Sequence, residues 1–516
     1  MSTILPPPSK KQKKALQSYN TPETAPGSQT HEVTNITVSF KSSETGESLG
    51  GTLRVPSNIN QKQLEKLINQ LNNSADDPVP YEFAVVIDEK DQSVVDIRDN
   101  LYDSVIKPGT KTTEDHLKII YTPQSVFKVK PITRSSFAIA GHGATILTAK
   151  FSPISSSRMV TGSGDSTAKI WDCDTQTPFK TLSGHSNWVL TAEYSPDGQY
   201  IATGSMDNNI NIWNANTGEL LGTLSGHSKW ITSISWKPLH LLKAGEPLML
   251  VSASKDSTLK VWNVEARTCT YSLSGHKSSV SCVKWGGYDT IYSTSHDKTI
   301  MMWNPNNGTL IKTLKSHAHW INHLSLSTDY LLRKGPYTYN EPENRKVAKL
   351  PINEKITIAK KIFQSANPGD KNERMVTASD DFTMYLWSPF SQNKPLGRMH
   401  GHQKLVNHVA FSPNGKYIVS ASFDNSVKLW DGKDGKFLAT FRGHVGPVYQ
   451  VCWSSDNRLL VSGSKDTTLK VWDVRTRKLA VDLPGHKDEV YAVDWSTDGR
   501  RVVSGGKDKM VRIWTH

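Results

Sequence analysis

Side chains of the kind that serine hydrolases use recur together along this chain. Each set contains a histidine, a Ser or Thr hydroxyl, an aspartate four residues after the hydroxyl and a tryptophan six residues after the aspartate, as in His444, Ser462, Asp466 and Trp472. A nucleophilic hydroxyl, a basic imidazole and an orienting carboxylate would together catalyse acyl transfer. The set occurs eight times, whereas an enzyme needs one such centre, so the repetition favours a structural role.

The histidines of the eight sets follow one another at nearly constant spacing. Most are 41 to 43 residues apart, while one interval is 49 residues and another is 85. A period of this length, with a Gly-His or Ser-His pair and a closing tryptophan, resembles the WD-repeat family, whose repeats are four-stranded blades of a β-propeller. The eight histidines are His142, His185, His227, His276, His317, His402, His444 and His486.

This resemblance implies an all-β protein whose residues 141–516 form an eight-bladed WD40 β-propeller. In such blades the four side chains form a hydrogen-bonded tetrad, which satisfies buried polar groups and makes the blade rigid. The chain stops two residues after Trp514, the eighth of these tryptophans, so the eighth blade lacks its outer strand there. We expect a strand within Val126–Ala140 to complete it, which assigns 125–140 to a linker and closing strand.

The 85-residue interval between His317 and His402 holds an insertion at about residues 331–374. The segment is polar and rich in charged residues, and a partial helix is expected near Ile356–Phe363. We interpret it as a surface excursion. Its Lys and Arg side chains are compatible with RNA contact, and a solvated loop is an equal alternative.

The residues before the propeller divide into a tail and a small domain. Residues 1–31 are rich in Pro, Ser, Thr and Lys, which predicts disorder, and a basic run resembles a nuclear-localisation patch. Residues 32–124 predict a hairpin, a helix near 59–72 and further strands at Tyr81–Ile87 and Leu117–Tyr121, an order that resembles the ubiquitin-like α+β fold. The basic run comprises Lys10, Lys11, Lys13 and Lys14.

Composition narrows the classes of function. The net charge is +13 and the isoelectric point about 9.3, which favours an acidic or nucleic-acid-rich partner, although a solubilising surface charge is the alternative. The four cysteines form no C-x-x-C pair, so we expect a reducing compartment and no intrinsic metal site. The sequence has neither an 18-residue apolar run nor a secretory signal, so we expect no membrane contact.

A more specific resemblance comes from the domain order together with local motifs. A ubiquitin-like domain followed by eight WD repeats, with the segments DDPVPY and LYDSVIKPG and the loop TTEDHLKIIY, resembles the Notchless family of WD-repeat ribosome assembly factors. The resemblance implies a non-catalytic role in large-subunit (60S) assembly, in the nucleolus and nucleoplasm. It also implies that the propeller binds the pre-ribosomal particle, made of rRNA, ribosomal proteins and other assembly factors.

The same resemblance implies how the small domain acts. Family members dock on a metal-ion-dependent site of midasin, a giant AAA ATPase, and an acidic side chain completes the coordination of its Mg²⁺. The matching residue here is Glu114, and the adjacent Asp115 competes for the role. The protein itself is then expected to carry no cofactor of its own.

The top face of the propeller, which carries the tetrad histidines, is the expected binding surface for cargo. Aromatic side chains among cations suit peptide or RNA contacts, although each one could equally be ordinary blade packing. We expect Tyr449 and Tyr491 to contribute first. The other candidates are Trp188, Trp230, Trp320, Phe423, Lys255, Lys465 and Lys507.

Two other classes of protein use propellers without catalysis. A substrate receptor of a ubiquitin ligase would need a ligase-docking segment, which the sequence does not show, and a signalling scaffold is the second alternative. Neither uses an acidic loop before the last strand of the small domain. An enzyme is disfavoured because the phosphate-binding, zinc-protease and serine-hydrolase motifs are absent from the sequence.

Overall fold

The computed structural model describes residues 35–42, 48–72, 81–88, 93–97, 100–109, 111–112, 114–123, 132–367 and 373–515. The chain divides into two compact units, Met1–Val126 and Phe127–His516. The predictions of a disordered tail over 1–31 and of a localisation patch at Lys10–Lys14 lie outside the described residues. Within the described parts of the chain, no helix is long and apolar enough to cross a membrane.

The first unit is a five-stranded sheet with one helix. Strand β1 is parallel to β5 and antiparallel to β2, while β3 pairs antiparallel with both β5 and β4, giving the order β2-β1-β5-β3-β4. This is the strand order of the ubiquitin-like fold. The elements are β1 (Asn35–Ser42), β2 (Ser48–Pro56), α1 (Gln61–Leu71), β3 (Tyr81–Asp88), β4 (Ser93–Asp96), a π-helical turn (Tyr102–Ile106) and β5 (Leu117–Pro123).

Local signals place helix α1. The Asn60 side chain accepts from the Gln63 N–H, and the Gln63 side chain accepts from the Asn60 N–H, so both ends of a capping box are present. Leu64 and Ile68 are buried in the core under the sheet, whereas Leu71, at the end of the apolar stripe, is exposed. The sequence interpretation missed β4, because four residues are too few to show an alternating pattern.

The second unit contains eight four-stranded antiparallel sheets, which are the blades. The first strands of neighbouring blades contact one another around the ring and therefore line its centre. The first four blades are β7 (Ile146–Phe151), β8 (Arg158–Ser163), β9 (Thr167–Asp172), β10 (Thr177–Ser183); β11 (Val189–Tyr194), β12 (Tyr200–Ser205), β13 (Ile210–Asn214), β14 (Leu220–Leu224); β15 (Ile231–Trp236), β16 (Met249–Ser254), β17 (Thr258–Asn263), β18 (Thr268–Ser274); and β19 (Val280–Trp285), β20 (Ile291–Ser295), β21 (Thr299–Trp303), β22 (Leu310–Lys315).

The remaining blades follow the same pattern, and a short 3₁₀ turn lies at Leu239–Leu241 in blade 3. Their strands are β23 (Ile321–Leu326), β24 (Met375–Ser379), β25 (Met384–Trp387), β26 (Gly397–Met399); β27 (Val406–Phe411), β28 (Tyr417–Ser422), β29 (Ser426–Asp431), β30 (Phe437–Arg442); β31 (Val448–Trp453), β32 (Leu459–Ser464), β33 (Thr468–Asp473), β34 (Lys478–Pro484); and β35 (Val490–Trp495), β36 (Val502–Gly506), β37 (Met510–Thr515), β6 (Arg134–Ala140).

The eighth blade joins the two ends of the propeller. Its outer strand is β6, which precedes blade 1 in the chain and pairs antiparallel with β37. Ile139 on β6 belongs to a buried cluster that also contains Ile146 of blade 1 and Val503 of blade 8. The strand expected within Val126–Ala140 thus lies at its C-terminal half, while residues 124–131 are outside the described part of the chain.

The insertion in blade 5 is helical and largely packed against the ring, which confirms the helix predicted near Ile356–Phe363, whereas the alternative of a solvated loop is wrong. It connects β23 to β24 on the bottom face, which is opposite the tetrad histidines. The insertion packs against the ring because several of its side chains are buried, among them Leu332, Tyr337, Asn344, Ile356 and Phe363. Its helices are α2 (Asp329–Lys334), α3 (Glu341–Val347) and α4 (Ile352–Ala366).

The insertion contacts several other blades. The Arg333 guanidinium pairs with the buried Asp494 carboxylate of blade 8 and also donates to the carbonyl of Phe151 in blade 1. The Tyr337 hydroxyl donates to the Asp197 carbonyl of blade 2 at 2.6 Å, and the Phe363 ring stacks on His240 of blade 3 at 4.0 Å. The helices therefore bridge the bottom of the ring. Contact of their exposed Lys and Arg side chains with RNA stays a prediction.

Candidate functional site

The eight recurring sets form eight hydrogen-bonded tetrads with one geometry. Each histidine Nδ1 lies 2.7–2.9 Å from the aspartate, each Nε2 lies 2.7–2.9 Å from the Ser or Thr hydroxyl, and each indole N–H donates to that hydroxyl at 2.7–3.1 Å. The hydroxyls belong to Thr161, Thr203, Ser252, Ser293, Thr377, Ser420, Ser462 and Ser504, and the carboxylates to Asp165, Asp207, Asp256, Asp297, Asp381, Asp424, Asp466 and Asp508.

The tetrads do not present a nucleophile to solvent. All eight Ser and Thr residues are 0% exposed, and each indole N–H already donates to the hydroxyl. Burial lowers the pKa of His142 and His402, which fits neutral imidazoles that donate from Nδ1 and accept at Nε2. Burial opposes ionisation of Asp165, but hydrogen bonds from Thr167, Gly143 and His142 outweigh it and lower its pKa to about 2. The geometry supports a structural role.

The tetrads also position the loops of the top face. In each blade the aspartate accepts a second hydrogen bond, from the backbone N–H that follows the histidine, at 2.8–3.1 Å. The carbonyl of the third residue after the histidine accepts from the backbone N–H of the residue before the aspartate. Lys255 thus donates to Trp230, and Lys507 donates to Glu489. Side chains at these two positions are thereby held beside each other on a rigid rim.

Five of the predicted top-face residues lie together over blades 6 to 8. We call Phe423, Tyr449, Tyr491, Lys465 and Lys507, with Glu489, the tyrosine cluster. The ring centroids of Tyr449 and Tyr491 are 5.0 Å apart, and Phe423 meets Tyr449 edge-on at 5.6 Å. The prediction that Tyr449 and Tyr491 bind cargo remains untested, but the structure places them in one contiguous, half-buried patch.

The centre of the tyrosine cluster is Glu489, which the sequence interpretation missed. Its carboxylate accepts from the hydroxyls of Tyr449 and Tyr491 at 2.7 and 2.9 Å, and lies 3.7 and 4.0 Å from the ammonium groups of Lys465 and Lys507. Burial and the bond to Glu489 raise the pKa of Tyr491 to about 12. Its position in the repeat could have identified Glu489 from the sequence, because it is the third residue after its tetrad histidine, as Trp188 is in blade 2.

The other predicted residues lie over blades 2 to 5. Trp188, Trp230 and Trp320 each occupy the third position after a tetrad histidine, and all three are exposed. The Lys255 ammonium lies 4.0 Å above the ring centroid of Trp230. The predicted set of nine residues therefore forms two groups on the top face rather than one site.

The acidic loop of the first unit distinguishes its two carboxylates. Asp115 accepts from both the backbone N–H and the hydroxyl of Thr112, at 2.8 and 2.9 Å, and these bonds lower its pKa. Glu114 is exposed, and its side chain makes no hydrogen bond within the described residues. A Gly109 turn with φ +75° precedes the loop, and β5 follows it. Glu114 is thus the more exposed of the two carboxylates, and which of them binds a partner's metal stays a prediction.

The fold and the tetrads define a WD-repeat β-propeller protein with a small N-terminal domain. The sequence profile described as "NLE (NUC135) domain" matches residues 36–105. The blade that the WD profile leaves unmatched is the fifth, which the insertion splits. The profile described as "WD domain, G-beta repeat" matches residues 133–172, 176–214, 218–263, 267–304, 393–431, 435–473 and 477–515.

Comparison with individual proteins identifies the family of WD-repeat proteins to which the chain belongs. The chain is 61% identical over 452 residues to Ribosome assembly protein 4 of Saccharomyces cerevisiae, covering 86% of this chain and 85% of that protein. It is 44% identical over 375 residues to Protein Notchless of Drosophila melanogaster, covering 72% and 74%. A computationally designed protein, Ika8, matches with a TM-score of 0.58 at 25% identity, over 74% of this chain and all of its own. The chain therefore belongs to the family that includes Ribosome assembly protein 4 and Notchless.

Proposed function

We propose that the protein is a non-catalytic scaffold in the assembly of the large (60S) ribosomal subunit. The observation that carries this proposal is the 61% identity to a protein named Ribosome assembly protein 4. The 452 matched residues exceed the length of the propeller, so the match extends into the N-terminal unit. The propeller then binds the pre-ribosomal particle, while the N-terminal domain engages the ATPase midasin, which remodels the particle and releases assembly factors.

The top face supports the cargo-binding half of this proposal. Each tetrad holds its loops to a buried network, so the side chains beyond the histidine lie on a preorganised surface. The tyrosine cluster joins aromatic rings to a carboxylate and two ammonium groups within 4.0 Å. Such a mixture suits a peptide that has an apolar side chain and a charged neighbour. We assign the tyrosine cluster to a protein component of the particle.

The accessible carboxylate of Glu114 supports the docking half. Mg²⁺ binds oxygen ligands at about 2.0–2.1 Å with octahedral geometry, and an incoming carboxylate fits an open position of such a site. Glu114 offers one such ligand, and it is favoured over Asp115 because it is the more exposed and one Asp115 oxygen is bonded to Thr112. No cluster of metal-ligating side chains occurs among the residues that the structure describes. The Mg²⁺ in this proposal therefore belongs to midasin and is shared on docking.

A conservative substitution tests the docking proposal. Glu114→Asp withdraws the carboxylate by about one C–C bond, roughly 1.5 Å, which breaks coordination while the loop stays folded. Binding of the full chain to the metal-site domain of midasin should be lost in Glu114→Asp and in the presence of a chelator. Asp115→Asn, the matched control, should bind. Wild-type affinity of Glu114→Asp, or chelator-resistant binding, would contradict the role of Glu114.

The site of action follows from the assembly role. We place the protein in the nucleolus and nucleoplasm, with Lys10, Lys11, Lys13 and Lys14 as its import signal. Sedimentation of the tagged protein on a sucrose gradient tests the whole proposal, because an assembly factor migrates with large-subunit precursors. Free migration together with ubiquitin-ligase subunits, or with signalling receptors, would support one of the alternative scaffolds instead.

A further inference from the structure

Three indoles on the top face are exposed in a way that blade packing does not explain. Trp188, Trp230 and Trp320 are 49, 39 and 47% exposed, whereas all eight tetrad tryptophans are 2% exposed or less. The three occupy equivalent positions of blades 2, 3 and 5, each held by the backbone hydrogen bond that links the two loops of its blade. Large apolar side chains held exposed on a rigid surface are typical of binding sites.

A cation or an imidazole accompanies two of these indoles. Lys255 lies 4.0 Å above the Trp230 centroid, and the His296 ring stacks on Trp320 at 4.6 Å and 12°. Partial burial and the nearby Lys255 oppose protonation of His296, and its pKa is lowered despite the opposing effect of Asp380. Two pairs, Trp230 with Lys255 and Trp320 with His296, thus lie on the top face, and the Lys255 charge acts on His296. We call these four residues, together with Trp188, the tryptophan sector.

The loops around the sector carry exposed lysine side chains. Exposed lysines stand next to the indoles or in the loop between them, and none forms an ion pair within the described residues. The tetrad aspartates of these loops are ionised but largely buried, with side-chain exposures of 6–10%, so the lysines are the exposed charges of the loops. The other acid in the loops, Asp380, accepts from Asn322 at 2.7 Å and faces His319 at 3.6 Å. The lysines are Lys229, Lys255, Lys277 and Lys298.

We propose that the tryptophan sector binds unpaired RNA, whose bases stack on the indoles while its phosphates contact the lysines. This inference rests on the proposed function for the source of the RNA, which would be the precursor rRNA. Unpaired bases expose flat faces that stack on aromatic rings, whereas a duplex hides them. An acidic peptide would use the lysines but not the ring faces. The tyrosine cluster is less suited to RNA, because the Glu489 carboxylate lies at its centre and repels phosphate.

Binding of the full-length protein to short labelled oligouridine, measured by fluorescence anisotropy, tests the inference. The triple variant Trp188→Ala, Trp230→Ala, Trp320→Ala should bind at least about tenfold more weakly. Lys229→Ala with Lys255→Ala should weaken binding and reduce its dependence on salt. The control is Phe437→Ala, which removes a 52% exposed ring that also has a lysine above it but lies on an outer strand, and it should bind normally.

Three results would overturn the inference. The first is an unchanged affinity of the triple variant for oligouridine, and the second is equal binding of an RNA duplex of the same length. The third is displacement of oligouridine by polyglutamate, if the substitutions also weaken polyglutamate binding as much as they weaken oligouridine binding. If the alanine variant does not fold, as judged by thermal unfolding, the three Phe substitutions should retain most of the affinity and three Leu substitutions should lose it. Absence of the wild-type protein from large-subunit precursors would instead contradict the assembly role alone.

Discussion

The Ser462 hydroxyl is buried within blade 7, whereas the Arg333 guanidinium lies partly exposed on the bottom face, and the two groups connect different parts of the propeller. Ser462 joins His444 to Trp472 within one blade, and the same arrangement recurs in every blade. Arg333 joins the insertion of blade 5 to Asp494 of blade 8, and among the described blades this insertion belongs to blade 5 alone. The tetrads are thus repeated contacts within blades, whereas Arg333 adds a single contact between distant blades to the repeated contacts that join neighbouring ones.

This difference has an energetic consequence. A tetrad is a local network of hydrogen bonds that every repeat supplies for itself, so the loss of one leaves seven intact. The contacts between blades include the closing strand β6 and the insertion, and each occurs once. We expect substitutions in the singular contacts to cost more stability than substitutions in any one tetrad.

The largest effect should come from the closing strand. Removing residues 1–140 deletes β6, exposes the edge of β37 and removes Ile139 from the cluster between blades 8 and 1. With Ile132 also lost from its cluster, the propeller should lose roughly 3–6 kcal/mol from side-chain burial alone. The control is removal of residues 1–131, which keeps β6. Equal thermal stability of the two truncated proteins would show that β6 does not close the ring.

The second effect concerns the insertion. Arg333→Ala leaves the Asp494 carboxylate, whose side chain is 1% exposed, without its guanidinium, and should lower the free energy of unfolding by about 3–5 kcal/mol. Arg345→Ala removes the exposed pair with Glu341 in the same insertion and should cost less than about 1 kcal/mol. Urea unfolding measures both. Similar losses in the two variants would mean that the insertion does not stabilise the ring through Asp494.

The same contrast explains what the sequence predicted. Because one pattern occurs eight times, the sequence predicted both the tetrads and the number of blades. This includes blade 5, which the WD profile does not match because the insertion interrupts the repeat. Arg333 is one arginine in a charged segment, and nothing local indicates that its partner lies 161 residues away. Non-local contacts that occur once leave no period in a sequence, so the sequence predicted the helix near Ile356–Phe363 but not its packing against the ring.

The top face shows an intermediate case. Its exposed positions are predictable because each lies at a fixed distance in sequence from a tetrad histidine or aspartate. This spacing predicted both Tyr449 and Trp230. Their grouping into a tyrosine cluster and a tryptophan sector depends on which side chains meet across blades, which a list of positions does not contain. The sequence prediction favoured aromatic and cationic side chains at these positions and therefore missed Glu489, which links both tyrosines.

A third prediction concerns a single tetrad. Ser462→Ala removes the acceptor of the Trp472 indole N–H and the partner of His444 Nε2, leaving buried polar atoms unsatisfied, and should cost about 1–3 kcal/mol. Because the geometry is repeated, Ser420→Ala in blade 6 should cost nearly the same. Urea unfolding of both variants provides the measurement. A loss in either variant as large as that of Arg333→Ala would remove the distinction between repeated and singular contacts.

The smallest effect is the pH dependence of one tetrad carboxylate. The folded pKa of Asp165, about 2, lies below the ordinary value of about 3.9 for an unfolded chain, so the unfolded state binds the proton first. Its contribution to stability is therefore complete above about pH 4 and is lost as the pH falls toward 2. Between pH 5 and pH 3 the loss due to Asp165 should be about 1 kcal/mol. Asp165→Asn has no carboxylate that takes up this proton, so its stability should fall by that much less over the same interval, as measured by urea unfolding at the two pH values. Parallel losses in the variant and the wild-type protein would mean that the hydrogen bonds from Thr167, Gly143 and His142 do not favour the ionised carboxylate.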